Sequence, residues 1–423
     1  MTRGIHKKIK ILIVGTGFGG TYALRYLHKV FCIKDKRVEI SIIGDKNYFL
    51  FTPLLHEVAT GGVHISNVTE PIRKVLGCCV DNFHLGTAEE INTQDQYVKV
   101  GGKNVGYDYL VLAQGGETNF FNTEGAKEYS FPLKTLPDAI RMKNHCLTQM
   151  EKASQITDET ERRGLLRFVV VGGGATGVEL VGELIEFVRD TFAYYYAKKL
   201  MNDIEVVIIQ KNKELLPQFG PKLRERSLKI MQKKGVKVLL NTGVTKLEKD
   251  KIVLDNGQEI YTENVFWVAG VKPSTLNFDI EIKKLPDGKM VVNEFLQVIG
   301  NNMTLPNVFA IGDAAAFEIR ENIYAPALAQ IAVHQAKTVA TNIKLASLGK
   351  NPEKYKYNLT GNLVSLGKWN ALGEIHRITF GGRFTWWLWR TVYLFKVISW
   401  RKRLIIAIDW TLNLFFPRDI SQI

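Results

Sequence analysis

Two stretches of the 423-residue chain carry glycines at the spacing a dinucleotide pyrophosphate requires. In residues 11–20, ILIVGTGFGG, a β-branched run turns through Gly15, Gly17 and Gly20 toward a helix predicted to begin near Tyr22. In residues 168–179, FVVVGGGATGVE, the glycines Gly172, Gly174 and Gly177 repeat the pattern. In each copy the first glycine makes the bend, the second lets backbone approach the pyrophosphate, and the third lets helix and strand pack closely. The helix N-terminus attracts the phosphate charge. One such turn could be an ordinary strand-to-helix bend. Two imply two dinucleotides, one held permanently and one visiting, and the natural pairing is a flavin with a nicotinamide cofactor.

The residues around these turns refine the chemistry. Glu179 lies just inside the helix after Gly177, where the N-terminal partial charge favours a carboxylate that could face the nicotinamide ribose or ring. An acid is expected at the end of the strand following each turn, to receive ribose hydroxyls. After the first turn the strand 38–43 meets Gly44, so Asp45, one place later, is the expected ribose ligand. After the second, the strand 204–209 ends in Gln210 beside Lys211 and Lys213, so nothing repels a 2′-phosphate and both NADH and NADPH are admitted. Residues 47–62, NYFLFTPLLHEVATGG, with Thr52 and Pro53 at the centre, suit a loop folded against a flat ring system, although core packing explains them as well. Residues 107–116, YDYLVLAQGG, form a strand whose small end, including Gly115, lets backbone come near a cofactor. Asp313 ends the buried strand 304–313, placed either to accept from a flavin's ribityl hydroxyls or to cap the next element. A helix over 326–343 sets Ala329, Ala332, Ala336 and Ala340 on one side and places Gln330 and His334, four apart, on a shared face. Its dipole would stabilise an anionic reduced ring.

The elements that must position these residues make an α/β chain with two Rossmann-like dinucleotide-binding domains. Residues 1–125 are expected to begin the flavin domain, 126–298 to form the nicotinamide domain, 299–375 to complete the first, and 376–423 to form C-terminal amphipathic helices. With 46% apolar residues the chain can build those cores. Its net charge of +14 calls for an anionic partner. No zinc-finger spacing or basic-aromatic RNA-binding signature is present, which argues against nucleic acid. Cys32, Cys78, Cys79 and Cys146 make no CxxC pair and no disulfide framework, pointing to a reducing compartment and to electrons passing directly from flavin to acceptor. No metal site is expected. Residues 1–10 are basic without an apolar core, so nothing there directs export.

Residues 384–400, FTWWLWRTVYLFKVISW, and 404–416 are aromatic-rich helical segments joined by Arg401, Lys402 and Arg403, and they hold five of the seven tryptophans. Arg390, Lys396 and Asp409 interrupt the apolar runs, and neither segment reaches the ~20 clean residues of a spanning helix. An anchor lying in the plane of an anionic membrane surface accounts for aromatics and charge together. A dimer interface or a helix pair packed on the core is the competing reading.

Together with FPLKTLPDA from Phe131 and ALAQIAVHQAK from Ala327, these motifs make the chain similar, from about residue 9 to 420, to the type II NADH:quinone oxidoreductases, the single-subunit, non-pumping NADH dehydrogenases. The resemblance implies a glutathione-reductase-like fold with an FAD domain, an inserted NADH domain and a C-terminal membrane anchor. It implies one non-covalent FAD, NADH or NADPH as substrate, and a membrane quinone as acceptor. The family's quinone-site motif AQxAxQ falls on residues 329–334. On that basis Gln330 lies beside the flavin at the quinone pocket, Asp313 binds FAD, Glu179 faces the nicotinamide, and Lys368 in LVSLGKWNALGE stands near flavin and acceptor. The chain departs from the family at His334 in place of the second glutamine, at Gly44 and Gln210 in place of strand-end acids, and at Gln114 in place of a threonine. His334 could hydrogen-bond a quinone carbonyl and, unlike glutamine, supply a proton. A homodimer is expected, peripheral on the cytoplasmic face of the cell inner membrane or else on the mitochondrial inner membrane. Sulfide:quinone oxidoreductase, which shares the fold, needs a late cysteine, and none follows Cys146. A nicotinamide-sensing flavoprotein, or an NAD(P)H oxidoreductase with a soluble acceptor, remains the alternative.

Overall fold

The computed structural model describes residues 8–31, 37–76, 82–301, 303–375 and 378–422. Cys32, Cys78, Cys79 and residues 1–7 lie outside them. The chain divides into two compact units, one made of Met1–Leu50, Thr69–Glu117 and Val271–Leu359, the other of Phe51–Val68, Thr118–Gly270 and Thr360–Ile423. Each is an α/β body around a parallel sheet, as the paired glycine turns require.

In the first unit the parallel strands run in the order Thr304–Ala310, Tyr109–Leu112, Ile9–Val14, Val38–Gly44 and Phe83–Leu85, within a nine-stranded sheet. Their β-branched residues read as continuous apolar runs because both faces are covered. Helix Phe18–Phe31 buries Gly19, Gly20, Ala23, Leu24, Leu27 and Phe31. It packs along helix Ala329–Ser347, whose Ala332, Ala336 and Ala340 are buried as the three- and four-residue spacing predicts. The first helix begins at Phe18 rather than near Tyr22, because the Thr21 N–H already donates to Gly17 O at 2.9 Å. The second begins at Ala329, later than residue 326, and its first N–H groups reach back to Leu328 O.

In the second unit the strands Phe131–Pro132, Asn264–Trp267, Arg167–Val171, Glu205–Ile209 and Val236–Leu239 form a five-stranded parallel sheet. Helix Leu136–Gln155 starts at a capping box in which Thr135 and Asp138 satisfy each other's N–H groups. A short helix, Glu159–Leu165, follows it, because Asp158 accepts from the Glu161 N–H at 2.8 Å and caps it. Two C-terminal helices, Arg383–Lys396 and Trp400–Phe415, follow a three-stranded antiparallel sheet. Among the described residues no helix is long and apolar enough to cross a membrane.

Candidate functional site

The first glycine turn is a cradle closed by backbone. Gly15 sits at φ +108°, and a Cβ there would lie 2.2 Å from Ala113 O, while one on Gly20 would lie 1.8 Å from Gly15 O. A Cβ on Gly17 or Gly115 would meet nothing within 4 Å, so backbone at both points is open to a ligand. Gly44 occupies the strand end for a packing reason: its Cβ would fall 2.3 Å from Thr16 Cγ2, so no acid fits there. Asp45 follows, exposed, with Lys46 at 3.4 Å. Asp313 lies in the short turn Gly312–Ala314, half-buried. That turn rests on helix Ala329–Ser347, since the Gly312 N–H donates to Gln335 Oε1 at 2.7 Å and Ala332 lies against Gly312. Gln330 occupies the first turn of the same helix and His334 the next, both half-buried. Gln335, which motif reading passed over, is the residue that ties helix to turn. Gln114 donates through Nε2 to Ser274 O at 3.3 Å, and its Oε1 is buried without a partner.

The second turn repeats the cradle. Gly172 has φ +117° and no room for a Cβ beside Ala269, Gly177 would place one 1.8 Å from Gly172 O, and Gly174 is open. Gln210 is buried, and its amide turns inward: Oε1 accepts from the Gly173 N–H at 2.9 Å, and Nε2 donates to Glu214 O at 3.4 Å. The residue at the ribose-selecting position therefore braces the glycine turn. Glu179 is not in the first turn of its helix, which begins at Ala175, so the dipole is not what sets its charge state. Its Oε1 accepts from the Ser365 N–H and from Trp389 Nε1, each at 3.2 Å, and burial pushes its carboxyl up to about 8.

Behind Glu179 lies a buried acid cluster that motif reading missed. Glu183 Oε2 accepts from Arg418 Nη2 at 2.5 Å, and Arg418 Nη1 also donates to Thr60 O and Oγ1. Glu186 Oε1 accepts from Lys234 Nζ at 2.5 Å and from the Lys368 N–H at 2.6 Å. The Lys368 backbone thus belongs to this cluster, with its side chain half-buried. Thr52 opens a short helical turn on the surface, and in the turn that follows Glu57 is buried, its Oε2 accepting from Trp410 Nε1 at 2.5 Å. Burial, with Glu183 nearby, pushes Glu57 up to about 7, and burial holds His56 down at about 4 and therefore neutral. Arg418 carries Glu183 the other way, below the usual carboxylate range. The available signal was the spacing of Glu179, Glu183 and Glu186, which shares one helical face among residues that are otherwise apolar.

Comparison with known proteins agrees with this architecture. Residues 9–336 match the pyridine nucleotide-disulphide oxidoreductase family, and residues 359–419 match the NDH2 C-terminal domain. The chain is 29% identical to the type II NADH:quinone oxidoreductase Ndh of Mycobacterium tuberculosis, over 97% of this chain and 89% of that protein. It is also 29% identical to the internal alternative NAD(P)H-ubiquinone oxidoreductase A1 of Arabidopsis thaliana, over 99% of this chain and 86% of that one. Among solved structures, NDH2 from Plasmodium falciparum in complex with NADH superposes with a TM-score of 0.87 at 23% identity, covering 98% of this chain and all of that one. With the two glycine cradles and the family match that spans both, this chain belongs to the pyridine nucleotide-disulphide oxidoreductase family and carries an NDH2-type C-terminal domain.

Proposed function

We propose that this chain is a type II NADH:quinone oxidoreductase, which oxidises NADH and reduces a membrane quinone through one non-covalently bound FAD without pumping protons. The observation that carries the reading is the conjunction of two glycine cradles in one chain with an NDH2 C-terminal segment. The first cradle suits FAD: Gly17 and Gly115 leave backbone open, and Gln114 Oε1 is buried without a partner. When bound, FAD takes a hydride from the nicotinamide and passes two electrons on to the quinone. The chain's own residues do the rest. Gly15, Gly17 and Gly20 admit the FAD pyrophosphate, Asp45 holds its ribose, and Gly115 and Asp313 bound it. Gly172, Gly174 and Gly177 admit the nicotinamide dinucleotide, and Glu179 faces its reacting end. Gln330 and His334 orient a quinone carbonyl. Gln210 adds no negative charge at the ribose, so NADPH is accepted as well.

A peripheral seat on an anionic membrane follows from the C-terminal helices. Phe384, Trp387, Phe395, Trp400, Leu404, Ile408, Leu412 and Phe415 are exposed, Trp400 at 72%. Two of the three charges that interrupt the sequence runs face inward: Arg390 is buried, and Asp409 Oδ2 accepts from Asn67 Nδ2 at 2.9 Å. The outward face is therefore more apolar than the sequence order suggests, as an interfacial helix requires. A homodimer would double that contact.

The test is steady-state oxidation of NADH and NADPH by the FAD-loaded protein with a short-chain quinone, in wild type, Gln330→Ala and His334→Ala. Rapid quinone reduction by wild type, with variants that keep NADH-driven flavin bleaching but lose quinone turnover, is the expected outcome. Prompt bleaching with no quinone reduction in wild type would replace this reading with a soluble acceptor or a sensing role.

A further inference from the structure

Helix Ala329–Ser347 buries two polar side chains, Gln335 and Asn342, each 1% exposed, on a face otherwise made of alanine and aliphatic residues. A buried amide is unfavourable unless its hydrogen bonds are returned. Asn342 recovers its own from irregular backbone: Nδ2 donates to Glu353 O at 2.9 Å, and Oδ1 accepts from the Glu353 N–H at 2.8 Å. Gln335 instead reaches the turn Gly312–Ala314, where its Oε1 accepts from the Gly312 N–H at 2.7 Å. An aliphatic side chain would fill that place without burying polar atoms, so the amide is there for the turn.

The turn is gripped from both sides. Before it, the Ile311 N–H donates to Leu112 O at 3.0 Å, and Ile311 Cδ1 lies 3.2 Å from where a Cβ on Gly19 would stand. This ties the turn to the strand that leads to Gly115 and to the helix opened by the first glycine cradle. On the other side, Gly312 stands at φ +68°, and a Cβ there would lie 3.2 Å from Ala332 Cβ. Ala332 and Gln335 are three apart, so one helical face meets the turn twice, by contact and by hydrogen bond. Gln330 and His334 occupy the opposite side of the same two turns. The first turn of this 19-residue helix holds no acid and no side-chain cap, and it presents the positive end of the dipole. The seat of Asp313 relative to that end is thus set at Gln335.

We propose that Gln335 is a positioning residue for FAD: by holding the Gly312 turn against the helix, it keeps the ribityl contact of Asp313 in register with the helix N-terminus, and so sets how much more tightly reduced flavin is held than oxidised flavin. The inference rests on the reading of Asp313 and of this helix as the flavin's neighbours. Asp313 meets the ribityl chain, which is the same in both redox states. The helix dipole meets the ring, which gains negative charge on reduction. Loss of the Gln335 hydrogen bond therefore weakens both forms and weakens the reduced one more.

FAD affinity and flavin potential test this without quinone or turnover. Gln335→Met keeps the reach of the side chain and removes the acceptor. It should weaken oxidised FAD about tenfold and reduced FAD about a hundredfold. That tenfold difference lowers the two-electron potential by about 30 mV. Gln335→Glu returns an acceptor oxygen at the same reach and should recover the affinity for oxidised FAD. Gly312→Ala works from the other side of the joint, pressing on Ala332 at a strained φ, and should repeat the unequal loss with Gln335 intact. A looser fold alone weakens both redox forms equally and leaves the potential where it was. Equal loss, or no loss, in Gln335→Met overturns the positioning role, and so does oxidised-FAD affinity that Gln335→Glu does not recover. Should Gln335→Met release FAD too readily to titrate, Gly312→Ala decides by the same two measures. Asp313→Ala with unaltered affinity for both forms overturns instead the placing of Asp313.

Discussion

The two glycine turns can be laid over each other bond by bond. Gly15 N–H donates to Ile43 O at 2.8 Å, and Gly172 N–H donates to Ile209 O at 2.9 Å. Gly20 and Gly177 each would bring a Cβ to 1.8 Å from the first glycine's carbonyl, and Gly17 and Gly174 each face open space. The two sites part outside the motif. At the strand end one has Gly44, forced by Thr16, and then Asp45, whereas the other has Gln210 holding its own glycine loop. The helix Phe18–Phe31 after the first turn carries no acid, whereas Ala175–Glu186 carries Glu179, Glu183 and Glu186. The motif thus fixes where a pyrophosphate sits, and what happens beside it is decided by residues the motif does not mention.

The largest way to break this parallel is to remove the cation that only the second turn depends on. Arg418→Ala leaves Glu183 charged and buried, and should destabilise the second unit by about 3–5 kcal/mol in urea unfolding while the first unit keeps its flavin. The parallel itself is sharpened by a matched pair, Gly20→Ala and Gly177→Ala. Each inserts a methyl where backbone already stands, at about 1–3 kcal/mol. The first should lose flavin from the purified protein, and the second should keep flavin but show a raised KM for NADH. The smallest effect is expected from changing one side-chain atom at the second turn's strand end. Gln210→Glu places a negative charge at the ribose and should raise the preference for NADH over NADPH in kcat/KM by about tenfold, or ~1.4 kcal/mol.

The turns were readable in the sequence because their requirements are local: a positive φ, a close approach and an open backbone all fall within six residues. The same holds for the alanines of helix Ala329–Ser347, whose periodicity reports a buried face directly. The acid cluster was not readable, because its pairings are distant. Glu57 and Trp410 are 353 residues apart, and Glu183 and Arg418 are 235 apart, so no spacing rule connects them. Arg390 and Asp409 look like interruptions of an apolar helix, and only packing shows that both turn inward. Gly44 reads as a missing acid until Thr16 is seen to fill its place. Segment Phe51–Val68 joins the second unit, although it lies between two strands of the first.

Arg418 has one more consequence, in the order of synthesis. The ribosome releases Glu183 long before the residue that neutralises it, which comes 235 positions later. Through that interval the second nucleotide turn can form its strand and helix, but it cannot bury the acidic face of that helix without a stranded charge. The first turn has no such debt to a distant residue in its helix. Its flavin cradle can settle before Arg418 is made, and the nicotinamide half is completed only once Arg418 has arrived.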